Sequence, residues 1–276
     1  VDPDENLRMI SESVDFLRRQ GKRVFYDAEH FFDAYLAHPD YSLRCLRAAA
    51  EAGAEVVCLC DTNGAALPTQ VAGVVERVVS ELGASCRVGM HAHNDAGCAV
   101  ANSLVAVDRG ADMVQGTING YGERCGNADL CAIIPGLKLK MGVDCVSDRD
   151  LEKLTDTARF VAELCNLSPD PHQPYVGRNA FAHKGGMHVA AVERDPSTFE
   201  HIEPALVGNS PHVLVSELSG RATIRQRLRE LGYPLQEEED LAARLLRRVK
   251  DKEHVGYHYE AADASFELLL RAELGQ

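Results

Sequence analysis

No run among the 276 residues approaches the roughly 20 consecutive apolar side chains that a membrane-spanning helix needs. No Cys-x-x-Cys pair occurs among the nine cysteines, and they lack the compact spacing of an extracellular disulfide scaffold. They are therefore expected to be reduced, mostly core thiols of a cytoplasmic protein, with Cys58 and Cys60 of "CLC" inside an apolar run. No G-x-G-x-x-G follows the first strand-like segment, which removes a dinucleotide-binding fold. Positive charge is also scarce. A formal charge of −13 argues against nucleic acid or an anionic membrane as the main partner. Anionic small substrates stay open, because a divalent metal can supply local positive charge.

What is present is an alternation. Residues 5–20 have the apolar spacing of an amphipathic helix, with Gly21 as its stop. "RVFYDAEHF" reads as a strand, "SLRCLRAAAEAG" as a helix and "AEVVCLCDTNG" as a strand. Helix "TQVAGVVERVVSELG", strand "CRVGMHAHND", helix "CAVANSLVAVDRG" and strand "DMVQGTINGYG" follow, then a short helix from Ala128. Alternating βα units with near-continuous apolar strands predict an α/β fold whose parallel sheet is covered by helices. A faint repeat, Gly53-Ala54-Glu55-Val56-Val57 against Gly110-Ala111-Asp112-Met113-Val114, recurs after 57 residues. That spacing is two units of about 28 residues, the unit size of a (β/α)8 barrel. Helix-stopping glycines before strands produce the same pattern by chance.

Each strand ends in polar residues: Asp27 and Glu29; Asp61, Thr62 and Asn63; His91, His93, Asn94 and Asp95; Thr117 and Asn119. Any one of them could simply cap a loop. Four consecutive strands doing so point to a shared site. Within the third group, His91 and His93 are two apart on a strand and share a face, so both imidazoles can reach one divalent cation. Polar decoration of a strand end is the plainer alternative. About four strands precede residue 145, too few to close a barrel. The sheet is thus an open doubly wound one or the C-terminal half of a TIM (β/α)8 barrel.

Beyond residue 145 the pattern changes. "DLEKLTDTARFVAELCNL" predicts a helix, and the Pro-, Gly- and His-rich stretch after it an extended linker or small subdomain. His183 and His188 lie there, beside Gly185 and Gly186, and a histidine can serve as acid or base near neutral pH. A histidine without a role is the commoner case. Residues 237–252 predict a solvated helix with acids first and bases last.

The stretch "HAHNDAGCAVANSLVAVDRGADMVQGTINGYGERCGNADL", His91 to Leu130, resembles the signature of the acyl-transferring DRE-TIM enzymes, the isopropylmalate, homocitrate and citramalate synthases. The resemblance continues through "GRNAFAHKGGMHVAAV" and "VLVSELSGR" and covers essentially the whole chain. "FYDAEHFFDAY", "NADLCAIIPGLKLKMG" and "ELSGR" are similar to the citramalate synthase branch, which implies pyruvate as the acceptor and isoleucine synthesis as the pathway. Isopropylmalate and homocitrate synthases remain the near alternatives. A lyase of the hydroxymethylglutaryl-CoA type is disfavoured, since Asn94-Asp95 stands where its motif usually has Asp-Thr.

The resemblance implies a metal-dependent Claisen condensation of acetyl-CoA with pyruvate, giving citramalate and CoA. It makes His91 and His93 metal-binding histidines and Asn127 a further ligand, the ion being Mg, Mn or Zn. Glu29 matches an active-site glutamate, Thr62 a threonine bonding the oxo-acid carboxylate, and His188 an acid/base histidine of the subdomain. Catalysis in this family implies a homodimer. It also implies an acidic metal ligand in an Asp-Gly…Arg motif, and none precedes Glu29. The expectation is therefore an internal fragment: residues 1–145 the last four or so βα units, and 146–276 a mostly helical linker and subdomain region without the C-terminal regulatory domain. Such a half-barrel could be non-catalytic alone and poorly soluble, with an exposed sheet edge.

Overall fold

Asp2 accepts the Glu5 amide at 2.8 Å and opens α1 (Pro3–Arg19), with acids in its first turn and Arg18 and Arg19 in its last. The computed structural model continues from it with β1 (Phe25–Ala28), α2 (Phe31–Ala37), α3 (Pro39–Glu51) and β2 (Val56–Asp61). Next come α4 (Pro68–Leu82), β3 (Arg87–Ala92), α5 (Ala99–Asp108), β4 (Met113–Gln115) and α6 (Leu130–Pro135). The structure describes residues 2–183, 188, 191–192, 194–213, 215–216, 219–233, 238–259 and 262–275. Gly185 and Gly186, and Leu214, Glu217 and Leu218 of "VLVSELSGR", lie outside them.

The chain divides into two units, Val1–Ser147 with Phe160–Cys165, and Asp148–Arg159 with Asn166–Gln276. In the first, all strands are parallel in the order β1-β2-β3-β4. Strand alternation sorts the side chains onto two faces. Val57, Leu59, Val88, Met90 and Ala92 join Leu46, Val71, Val75 and Val78 in a core under the helices. Burying each of the larger side chains stabilises the unit by about 1.5–3 kcal/mol. The other face carries Asp27, Cys58, Cys60, Gly89, His91 and Gln115. A flat sheet would hold β1 and β4 roughly 14 Å apart. Gln115 Nε2 nevertheless donates to Asp27 Oδ1 at 2.9 Å, so the sheet curls with this second face inside the curve.

Helices α3 and α5 stop at Gly53 (φ +96°) and Gly110 (φ +101°), each just before a strand. The faint repeat is that shared stop. Two elements differ from expectation. The first strand ends at Ala28: His30 turns left-handed (φ +55°) and Phe31 and Phe32 enter α2 fully buried. The fourth strand keeps only three residues, because Thr117 leaves the sheet to donate its amide to Ala128 O at 3.0 Å.

The helix expected after residue 150 is two, Asp148–Leu151 and Leu154–Leu164, broken where the Glu152 carbonyl packs on Gly208. Strand Ala182–His183 of the Pro/Gly/His-rich stretch pairs in parallel with His212–Val213 beyond it. Helices Arg221–Glu230, Glu238–His254 and Asp263–Glu273 enclose Ile224, Leu228, Leu245, Val249, Phe266 and Leu270. The first of these three was not anticipated; its sequence is arginine-rich, and only Thr223, Ile224 and Leu228 are buried. None of the described helices is long and apolar enough to cross a membrane.

Candidate metal centre

The strand tips of the first unit bring five of the expected residues into one region. His91 sits on β3 and His93 just past it, where His93 forms an antiparallel bridge with Asn127 of the loop after β4. Residues so bridged share a face, with Cβ atoms about 5 Å apart. The two Nε2 atoms, of His91 and His93, lie 3.4 Å apart. Two metal–nitrogen bonds of about 2.1 Å at a tetrahedral angle set their nitrogens about 3.4 Å apart. Burial, then the His91 ring and the Arg124 guanidinium, lower the His93 pKa and keep its ring neutral, the state a metal ligand requires. Asn127 Oδ1 is a buried acceptor without a hydrogen-bond partner among the described residues, and a Cβ on Gly122 would sit 2.2 Å from it. Only glycine at 122 leaves room for that carbonyl. Two imidazoles and an unspent amide oxygen fit a divalent ion of borderline to hard character.

Thr62, in the loop after β2, accepts the His30 amide at 2.7 Å and donates to Glu29 Oε2 at 2.8 Å. Arg124 ties three loops together. It grips Asp95 with two bonds of 2.8 and 2.9 Å and donates to the Thr62 carbonyl at 2.8 Å. The guanidinium holds the Asp95 carboxyl below the usual range. His188 belongs to the second unit, where its exposed ring packs 4.3 Å from the Phe199 ring. His183 in that unit lies 3.4 Å from the Glu200 carboxylate.

Among the described residues, the one group of three His, Cys, Asp or Glu side chains close enough to share an ion is Asp27 with Cys58 and Cys60, all within 4.8 Å. Cys58 and Cys60 are buried, as their apolar context predicts, and all nine cysteines are free. The hydrogen bond from Cys60, followed by burial, pushes the Cys58 thiol far up. It is a poor thiolate donor beside the histidine pair.

Sequence reasoning missed two contributors. Gln115 Oε1 lies 2.8 Å from His91 Nδ1, and that contact depends on strand register. Arg124 was visible only as a lone cation in a glycine-rich loop. Thr117 and Asn119 serve the turn: Thr117 Oγ1 donates to Tyr121 O at 2.6 Å, and Asn119 takes φ +64°.

Asp61 gives a stability prediction. Its carboxyl accepts the Ala65 and Ala66 amides, and burial still raises its pKa. The folded chain then holds that proton more tightly than the unfolded one, whose pKa is about 3.9. This contribution to stability is complete below that pH and is lost as pH rises through the folded value. Asp61→Asn keeps an acceptor for both amides. In urea titrations it should match the native chain near pH 4 and exceed it at pH 7; equal stability at both pH values would contradict the assignment.

A model of the HMGL-like family matches residues 1–161, and one of the homocitrate synthase post-HMGL domain-like family matches residues 175–256. An (R)-citramalate synthase of Synechocystis sp. is 52% identical over 98% of this chain and 51% of its own length. Another, of Streptomyces coelicolor, is 53% identical over 98% of this chain and 50% of its own. The chain therefore spans about half the length of these curated relatives. Among solved structures, an HMG-CoA lyase of Bacillus subtilis is 23% identical, with a TM-score of 0.48 over 59% of this chain and 56% of that one.

Proposed function

The chain belongs to the HMGL-like family, and from that premise we propose that it builds part of the active site of a citramalate-forming acyltransferase. Acetyl-CoA loses a methyl proton, the resulting carbon nucleophile adds to the keto carbon of pyruvate, and hydrolysis of the thioester releases CoA. The observation that carries this reading is the pair of facing Nε2 atoms, 3.4 Å apart, beside the unspent Asn127 carbonyl. His91, His93 and Asn127 would hold a divalent Mg, Mn or Zn ion. When bound, such an ion acts as a Lewis acid toward the keto acid and favours the negative charge that develops on its oxygen. The citramalate synthase relatives support pyruvate as acceptor.

The curled sheet is an arc of a (β/α)8 barrel in this reading, and the five residues lie at the C-terminal mouth where such barrels react. The protein works as a cytoplasmic homodimer in isoleucine synthesis. Thr62 presents one hydroxyl proton, which Glu29 accepts. A substrate carboxylate arriving there competes with Glu29 for that proton, so Thr62 orients the acceptor and Glu29 is released to face the reacting groups. Arg124 keeps the Thr62 loop in register through the Thr62 carbonyl. His188 is assigned an acid/base role on the family resemblance alone.

CoA release from acetyl-CoA, measured separately with pyruvate, 2-oxoisovalerate and 2-oxoglutarate, tests the assignment. Release with pyruvate is expected. A preference for 2-oxoisovalerate would make the protein an isopropylmalate synthase, and one for 2-oxoglutarate a homocitrate synthase. Thr62→Val removes a hydrogen bond to a charged group, worth about 1.5–3 kcal/mol. Its KM for pyruvate should rise about tenfold to a hundredfold, with kcat changing less. An unchanged KM would take Thr62 out of substrate binding.

A further inference from the structure

Asp27, next to last in β1, and Gln115, last in β4, carry side chains that the catalytic assignments leave unused. Gln115 Nε2 donates to Asp27 Oδ1 at 2.9 Å, and Gln115 Oε1 lies 2.8 Å from His91 Nδ1. We propose that Asp27 and Gln115 form a one-way hydrogen-bond relay that holds His91 as its Nδ1–H tautomer and leaves the Nε2 lone pair facing His93.

The direction of the relay follows from what each group can do. A carboxylate offers only acceptors, whereas a primary amide has one donating and one accepting end. The Gln115 NH2 must therefore face Asp27, and its oxygen must face His91. Only an N–H can satisfy that oxygen, so Nδ1 carries the ring proton. A neutral imidazole has one proton, and Nε2 is left as the free acceptor. His93 has no such control: its Nδ1 is buried without a hydrogen-bond partner among the described residues. One histidine of the pair is preset by protein side chains; the other has its Nε2 opposite the first ring's Nε2 and no side chain holding its Nδ1 among the described residues.

Asp27 makes no hydrogen bond to either imidazole that the structure shows, yet it decides which nitrogen of His91 is available. It does so across the full width of the sheet, from β1 to β4. Asp27 and Gln115 are positioning residues in this scheme. The consequence for ion binding rests on the assignment of His91 as a ligand; the tautomer itself does not.

Asp27→Asn tests the direction of the relay. Asparagine can donate as well as accept, so the relay can run in reverse, with the Gln115 NH2 facing His91 and the proton moved to Nε2. Nitrogen-15 NMR of the histidine-labelled, metal-free protein reads both ring nitrogens of His91, identified by the signals missing in His91→Ala. The native protein should show Nδ1–H alone, and Asp27→Asn both tautomers. Gln115→Leu should weaken Mn2+ or Zn2+ binding, followed by calorimetry, about 10- to 100-fold. Combining Asp27→Asn with Gln115→Glu rebuilds a one-way relay. The carboxylate introduced on β4 offers His91 only acceptors, and the amide introduced on β1 can donate to that carboxylate. The double variant should recover both the single tautomer and the ion affinity, which a merely structural role for the two residues would not predict. A single unchanged His91 tautomer in Asp27→Asn would overturn the relay. Mixed tautomers with no change of ion affinity in any variant would uphold the relay and remove the ligand assignment of His91 instead.

Discussion

His93→Ala is expected to lower the rate of CoA release from acetyl-CoA and pyruvate by roughly a thousandfold or more, the scale of several kcal/mol of lost charge stabilisation. The fold should barely notice. His93 Nδ1 has no hydrogen-bond partner to lose among the described residues, so the urea midpoint should shift by no more than about 1 kcal/mol of stability. Divalent-ion binding measured by calorimetry should fall with the rate. Near-normal turnover in a variant that still binds the ion would end the assignment of His93 as a ligand. A large loss of stability together with activity would instead mark the residue as structural.

Gly126→Ala should unfold the protein far more readily than its size suggests. Gly126 has φ +89°, and a Cβ there would lie 2.0 Å from the Gly120 carbonyl oxygen. Its own carbonyl accepts the Asn94 amide at 2.9 Å, and Asn127 follows it directly. Gly142 is the control: its φ is +71°, but a Cβ there meets open space. Alanine at 142 carries only the left-handed backbone cost of about 1–2 kcal/mol. At 126 the clash with fixed backbone adds to it, for a total of about 3 kcal/mol or more. Urea unfolding of the two variants separates the terms, and equal losses would refute the close approach. Ion binding should survive at 142 and fail at 126.

Period and punctuation carried much of this into the sequence. Two-residue spacing puts His91 and His93 on one side of β3, and the structure keeps their ring nitrogens in contact. Valines at helical spacing mark the buried face of α4: Val71, Val74, Val75 and Val78. Other features depended on distant partners. Gln115 stands beside His91 only through the β3–β4 register, and beside Asp27 only through the curl of the sheet. Neither is a local property. Phe31 looks like the end of a strand until His30 turns left-handed. The helix Arg221–Glu230 has too few apolar residues for a periodicity to show, and its neighbours supply the burial. Thr117 and Asn119 show the reverse error, a polar strand tip spent on a turn.

The Asp27–Gln115 bond joins residues 88 apart in the chain, whereas adjacent strands pair residues about 31 apart or fewer. Strand pairing can grow one βα unit at a time, each step closing a modest loop. The bond between the outer strands has no such route: it requires all three neighbouring pairings and the curl they produce, and its closure entropy is met only after them. During refolding, secondary structure and core burial should therefore mature first, and high affinity for a divalent ion should emerge in the final kinetic phase. A metallochromic dye followed beside fluorescence would make ion capture the clock for the last event in folding.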